Sequence, residues 1–305
     1  MSSTKNIIVT GGAGFIGSNL VEALAKKNNI CVIDNLHTGS KSNLSKAFKS
    51  GNVTFRKASA GSISEVGFNA DIVYHLGMYS ASPMYRKDPR LLGKVTSEMI
   101  NVLEYIKEHE IPLVFASTSS IYNGIKPPHR ESAQYSITDY YTEGRIFCER
   151  ASELYNKLYG CNIAAMRFFS VYGYHEEAKK GYANLVTQFM WAMQKNKSPV
   201  IYGDGMQKRD FIFVDDVVDA LLRASKTMGF EVFNVGTGNS YTLNSLVSIL
   251  NRKMGKRIRP SYVKMPVKNY VKETLADTSK AKKMLKFKAN IDLEHGISLL
   301  LNRKL

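Results

Sequence analysis

The sequence predicts an α/β fold: a doubly wound, mostly parallel sheet followed by a smaller, more irregular C-terminal lobe. Three observations predict it. Apolar runs of strand length, at 6–10, 30–34, 53–55, 71–76, 112–116 and 163–168, alternate with helical patterns through the first half. The first run ends in closely spaced glycines that open the first helix, and after Arg167 the regular alternation loosens. Strands buried on both faces read as continuous apolar runs, and parallel neighbours need crossover helices between them. A chain of 305 residues suits one large α/β domain or two modest ones, with ample core.

The opening stretch Asn6-Ile7-Ile8-Val9-Thr10-Gly11-Gly12-Ala13-Gly14-Phe15-Ile16-Gly17-Ser18 reads as strand, tight turn and helix start, with Leu20, Val21 and Leu24 continuing the helix. Glycines at 11, 14 and 17 let the backbone turn sharply and approach a pyrophosphate, whose charge meets backbone amides and the positive helix end. Taken alone, such a turn can be only a turn. Here a second strand, Ile30-Cys31-Val32-Ile33, ends in Asp34, seventeen residues past the last glycine. An acid there faces the two hydroxyls of an adenosine ribose. Together these features predict a Rossmann-type dinucleotide-binding domain. Gly11, Gly14, Phe15, Ile16 and Gly17 are expected at the pyrophosphate, and Asp34 and Asn35 at the ribose. That domain is expected over 1–167, joined by parts of 209–236, with 168–305 mainly a substrate-binding lobe.

Two longer helices follow, from about Arg90 to Glu110 and from about Tyr141 to Tyr159. The first carries Leu92, Val95, Met99, Leu103 and Ile106 at helical spacing, and the second carries Leu154 and Leu158 on its later apolar face. Packing on the sheet explains both stripes, and a helix-to-helix homodimer interface is the alternative. Between these helices, the strand Leu113-Val114-Phe115-Ala116-Ser117 runs into Thr118-Ser119-Ser120-Ile121-Tyr122, placing hydroxyls where open sheets bind ligands. On the second helix, Tyr141 and Arg145 stand one turn apart. A fixed cation there favours an ionised phenol, which makes tyrosine a usable acid and base. An ordinary aromatic–cation pair is the alternative. Further on, Gly173, Tyr174 and the charged run Glu176 to Lys180 read as loop, followed by helices near 184–195, 215–226, 242–254 and 279–286. Short strands are expected near 200–202 and 232–235.

The net charge is +16, from 42 Lys and Arg against 26 Asp and Glu. The cations are spread along the chain without an aromatic-interleaved basic tract, so an anionic small substrate accounts for them better than nucleic acid does. Cys31, Cys148 and Cys161 sit in apolar patterns without metal-ligand spacing and read as core residues, so no metal is expected. No apolar run is long enough to span a membrane and no signal peptide opens the chain, which predicts a cytoplasmic protein without a membrane partner.

With the glycine turn, these motifs resemble the extended short-chain dehydrogenase/reductase family, and within it the nucleotide-sugar epimerases of the UDP-glucose/UDP-galactose 4-epimerase type. The resemblance runs through His75-Leu76-Gly77, Asp88-Pro89, Asn101-Val102-Leu103-Glu104, Arg167-Phe168-Phe169-Ser170-Val171-Tyr172-Gly173 and Tyr202-Gly203-Asp204-Gly205. It ends at Arg209-Asp210-Phe211-Ile212-Phe213-Val214-Asp215-Asp216 and Phe233-Asn234-Val235-Gly236, so it covers nearly the whole chain. It implies Tyr141 as the catalytic tyrosine, Thr118 as the hydroxyl that shares the substrate proton, and Arg145 in the place of the lysine of Y-x-x-x-K. The implied reaction transfers a hydride from carbon 4 of a UDP-linked sugar to tightly held NAD. The 4-keto sugar then turns over and takes the hydride back on its other face. Leu76, Gly77, Tyr141, Arg145 and Phe168 are implied at the cofactor, and Ser80, Thr118, Ser170, Asn184, Leu185 and Arg209 at the substrate. Asp34, followed by Asn35 instead of Arg, favours NAD over NADP.

The chain departs from the family pattern at four places. Arg145 replaces lysine, a swap that is not conservative, and the resemblance predicts that Arg145→Lys keeps or raises activity. Ser170 stands where an asparagine usually touches the sugar. Pro266-Val267-Lys268-Asn269 replaces the usual Arg-x-Gly-Asp, and Ser59 stands where an Asp commonly contacts the adenine. Ser119 and Ser120 occupy the positions of the dehydratases' Asp-Glu, which argues against 4,6-dehydration. A decarboxylase, a reductase, or a catalytically weakened relative binding nucleotide or RNA are the alternatives. For Arg209-Asp210 the alternative to a diphosphate grip is a structural salt bridge.

Overall fold

A computed structural model describes residues 4–265 and 271–302. The chain opens with β1 (Asn6–Thr10), α1 (Phe15–Leu24), β2 (Asn29–Ile33), α2 (Ser45–Ser50), β3 (Asn52–Arg56) and β4 (Ile72–His75). Next come α3 (Ser82–Lys87), α4 (Leu91–Glu108), β5 (Leu113–Thr118), α5 (Tyr140–Tyr159), β6 (Ile163–Phe168) and β7 (Ser170–Tyr172). Then follow α6 (Leu185–Gln194), β8 (Val200–Tyr202), β9 (Lys208–Arg209), β10 (Phe211–Phe213) and α7 (Val214–Ala224). The last elements are β11 (Phe230–Val235), β12 (Tyr241–Thr242), α8 (Leu243–Met254), β13 (Ser261–Val263), α9 (Ser279–Leu285) and α10 (Leu293–Asn302).

Two compact units divide the chain. The first comprises Met1–Thr118, Ile137–Arg167 and Val218–Phe233. Its frame is a seven-stranded sheet in the order β11-β6-β5-β4-β1-β2-β3, with β1 parallel to both β2 and β4. The strand order therefore reverses between β1 and β4, the switch point outside which open α/β sheets bind their ligands. β1, β2 and β4 are almost wholly buried, as their unbroken apolar runs require.

α5 owes its start to Asp139, whose carboxylate accepts from Thr142 N (3.0 Å) and Thr142 Oγ1 (2.9 Å), and its end to Gly160, at φ 71°. This cap sets Tyr141 in the first turn. The sheet-packing reading fails for the later half of the helix: Leu154 and Leu158 are 52% and 61% exposed, because the face that meets the sheet carries Arg145, Cys148, Glu149 and Ser152 instead. Cys161 is half-exposed as well, unlike the buried Cys31 and Cys148.

The second unit comprises Ser119–Ser136, Phe168–Val217 and Asn234–Leu305. Residues 119–136, which the sequence places with the dinucleotide domain, thus fall here. Stacking holds them: the His129 ring lies 4.9 Å from Tyr122 and 6.3 Å from Phe169. Short paired strands carry the unit, with β7 parallel to β10, β8 parallel to β13, and β9 antiparallel to β12. The run Glu176 to Lys180 is more ordered than a loop. Glu177–Tyr182 forms a 3-10 turn, and Glu176 is buried because its carboxylate accepts from Asn184 N (2.8 Å) and Thr187 Oγ1. Pro266 to Asn269 lies outside the described residues. Among the described residues no helix is long and apolar enough to cross a membrane.

Candidate active site

The glycine turn has the geometry that a bound diphosphate needs. Gly11 sits at φ 69°, and a Cβ there would lie 2.5 Å from Gly77 N, so the loops after β1 and β4 close on each other only with glycine. A Cβ on Gly17 would come 2.1 Å from Gly11 O. The first turn of a helix leaves its amides without intrahelical acceptors, and no side chain caps α1 at Gly14. The first turn, Phe15 to Gly17, therefore presents backbone donors and the positive end of the helix dipole, a receptor for a pyrophosphate.

Asp34 lies at the end of β2, 7% exposed. Its Oδ2 accepts from Ala13 N (2.9 Å) and its Oδ1 from Leu36 N (2.7 Å), which anchors the acid beside the glycine turn. Burial raises the pKa of this carboxyl, and the amides of Leu36, Ala13 and Gly14 oppose that rise. Asn35 is exposed and accepts from His37 N (2.9 Å). These residues fit an adenosine ribose with two free hydroxyls.

At the end of β4, His75 Nδ1 lies 2.7 Å from Thr10 Oγ1, and Gly77 N donates to the same hydroxyl oxygen (3.2 Å). Leu76 N donates to Thr10 O (3.0 Å). Burial, then the nearby charge of Arg145, pushes the His75 imidazole down to about 3, so it stays neutral. Thr10 and His75 thus fix the Leu76-Gly77 floor. Ser80, three residues on, is exposed.

Thr118 ends β5 and is 5% exposed. Tyr141 is half-buried one turn before Arg145, whose guanidinium carbon stands 5.0 Å from the Tyr141 ring centroid. Arg145 is almost wholly buried. Its Nη1 is 3.1 Å from Met78 Sδ, and its Nη2 donates to Tyr79 O (2.8 Å). The first unit therefore holds Tyr141, Thr118 and Arg145, the residues that the resemblance implies for acid–base chemistry. A cluster that the sequence reading missed lies one turn further along α5. Glu149 accepts from Ser117 Oγ (2.5 Å), Arg167 Nε (2.9 Å) and Arg167 Nη2 (2.6 Å), all buried. It ties the helix carrying Tyr141 to the strand ending in Thr118. The four-residue spacing of Tyr141, Arg145 and Glu149 on one helix face points to Glu149 itself, though not to its partners.

Of the residues implied for the substrate, Ser80 and Thr118 lie in the first unit, and Ser170, Asn184, Leu185 and Arg209 in the second, with Phe168, implied at the cofactor. Phe168 closes β6 and Ser170 opens β7, where Ser170 N donates to Asp210 O (3.0 Å). Asn184 caps α6 through Oδ1, which accepts from Val186 N (3.0 Å), and Leu185 begins that helix. Arg209 is 8% exposed, its guanidinium donating to the carbonyls of Lys208 (2.7 Å) and Val271 (2.6 Å). The fully buried Asp210 gathers Thr237 N (2.8 Å), Gly238 N (3.0 Å) and Ala276 N (3.0 Å). The adjacent arginine and aspartate thus serve different segments, the acid as a structural clasp.

Residues 7–236 match the model of the NAD dependent epimerase/dehydratase family. A UDP-glucuronate 4-epimerase of Thermodesulfobacterium geofontis is 31% identical over 97% of this chain and 94% of its own. The solved UDP-N-acetylglucosamine 4-epimerase from Methanobrevibacter ruminantium, in complex with UDP-N-acetylmuramic acid, superposes with a TM-score of 0.91 at 29% identity, covering 98% and 99% of the two chains. The UDP-glucose 4-epimerase from Thermotoga maritima, with UDP-glucose, gives 0.90 at 30% identity and 96% of each chain.

Proposed function

The chain belongs to the NAD dependent epimerase/dehydratase family, and from that premise we propose that it inverts carbon 4 of a UDP-linked sugar with NAD as a retained cofactor. The observation that carries this reading is the pairing of a glycine turn and Asp34, built for NAD, with Tyr141, Arg145 and Thr118 in the same unit. When bound, NAD supplies the acceptor and donor of the hydride. Tyr141 takes the proton of the sugar's 4-hydroxyl while the Thr118 hydroxyl steadies that oxygen, and it returns the proton when the 4-keto sugar is reduced on its other face. Arg145 stabilises the phenolate on whose face it rests. Arg209 and Asn184 are assigned to the UDP-sugar, together with Ser80, Ser170 and Leu185. The UDP-glucose/UDP-galactose pair is the favoured substrate, supported by the likeness to the Thermotoga maritima enzyme. The test is incubation with UDP-galactose, UDP-N-acetylglucosamine and UDP-glucuronate without added NAD. An epimer from at least one supports the reading, and none from any of the three sinks it.

Asp34 makes a separate expectation. A 2′-phosphate would meet its carboxylate, so the protein is expected to bind NAD more tightly than NADP. Asp34→Ala is expected to weaken NAD and narrow that gap, and calorimetry showing equal affinities for the unaltered protein would remove the assignment. A homodimer through α4 and α5 is also proposed, supported by the exposed Leu154, Leu158 and Tyr159 on α5. The solution mass decides it: twice the 34.2 kDa of the chain is expected, and a monomer contradicts it. A cytoplasmic location fits this chemistry.

A further inference from the structure

The expectation that Arg145→Lys keeps or raises activity treats the arginine as a stand-in. Its surroundings are shaped for a guanidinium instead. Besides Met78 Sδ and the Tyr79 carbonyl, Tyr85 stands close by: Tyr85 Oη donates to the same Tyr79 carbonyl (3.3 Å) that Arg145 Nη2 meets (2.8 Å). Tyr85 is 1% exposed, and its ring meets Tyr79 edge-on at 6.5 Å and Tyr141 at 5.6 Å. Tyr79 is braced on its other sides by His37, ring to ring at 4.8 Å, and by Lys94 Nζ, 5.4 Å from its ring. The Tyr141 ring, the Met78 thioether and the Tyr79 carbonyl that Tyr85 also meets therefore hold the cation.

We propose that Tyr85 is a positioning residue for Arg145, forming with Met78 and the Tyr79 carbonyl a seat that holds the guanidinium against the Tyr141 ring. Arginine is thus the residue this site is built for. A planar fork can span the thioether and the carbonyl while lying over an aromatic face. Lysine's compact, strongly hydrated ammonium cannot do both, and it would be buried short of partners. Burial pushes the Tyr85 phenol up to about 12, against the opposing charge of Arg145, so it remains a hydrogen-bond donor at any ordinary pH.

The kinetic arm of the test rests on the epimerase reading, and the stability arm does not. Tyr85→Phe, Arg145→Lys and the double variant are compared for kcat, KM and thermal midpoint. Tyr85→Phe keeps the ring and is expected to lower kcat about fivefold, the equivalent of one hydrogen bond, with the sugar's KM unchanged. Arg145→Lys is expected to lower kcat on the order of tenfold. In the lysine background, Tyr85→Phe is expected to do almost nothing, because the seat is already empty of its fork. The midpoint follows the same pattern, falling about 2 °C for Tyr85→Phe alone and hardly at all on top of Arg145→Lys. Arg145→Lys turning over as fast as the unaltered protein, or Tyr85→Phe having the same effect in both backgrounds, overturns the proposal. If no UDP-sugar is turned over by the unaltered protein, the epimerase reading falls while the midpoints still decide the seat: coupled values uphold it and additive ones overturn it.

Discussion

Tyr141→Phe is expected to lower turnover by a factor on the order of 10²–10⁴ while cofactor content stays the same. The substitution keeps the ring on which Arg145 rests, 5.0 Å from its centroid, and removes only the oxygen that exchanges the proton. Packing around the ring against Tyr85, at 5.6 Å, is preserved, so the loss reads chemistry and not folding. Thr118→Ala is expected to cost less, because water can partly replace a hydroxyl at the end of β5. Steady-state rates on a substrate that the unaltered protein turns over decide the matter. Full activity in Tyr141→Phe would remove the tyrosine from the mechanism.

The largest expected effect on stability is at Glu149. Glu149→Ala leaves Arg167 with a charge buried at 3% side-chain exposure and takes away two hydrogen bonds of 2.9 and 2.6 Å. Removing one partner of a buried ion pair costs about 3–5 kcal/mol, because the remaining charge stays desolvated. That is a large share of the roughly 5–15 kcal/mol by which folded domains are typically stable. Replacing both partners, as in Glu149→Leu with Arg167→Met, is expected to recover most of the loss, since neither buried charge remains. Denaturant unfolding measures both. A single variant as stable as the unaltered protein would show that the cluster does not hold α5 to β5 and β6.

What the sequence makes legible here is what lies close along the chain. Gly11, Gly14 and Gly17 with Asp34 are read from one strand–turn–helix–strand unit, and the backbone approach at Gly11 and Gly17 is the reason those positions carry no side chain. Tyr141 and Arg145 share one helical turn. Features that depend on distant segments meeting are not legible. Nothing local says that Glu149 meets Arg167 across eighteen residues, or that Tyr85 of α3 stands beside Arg145 sixty residues on. The apolar pattern of α5 suggests that Leu154 and Leu158 pack inward, yet the inner face carries Arg145 and Glu149, which find partners there. Likewise the charged run after Gly173 looks like solvated loop, and Glu176 is buried only because Asn184 and Thr187 reach it from α6 and its cap.

The claim that the hydride leaves carbon 4 and returns to the same carbon is tested most directly with UDP-galactose carrying deuterium at carbon 4. The protein is incubated with it in ordinary water without added cofactor, and the product is examined by NMR. The account predicts UDP-glucose with the deuterium still at carbon 4. Loss of the label to solvent would contradict it, and the absence of any epimer would remove the UDP-glucose/UDP-galactose pair as the substrate.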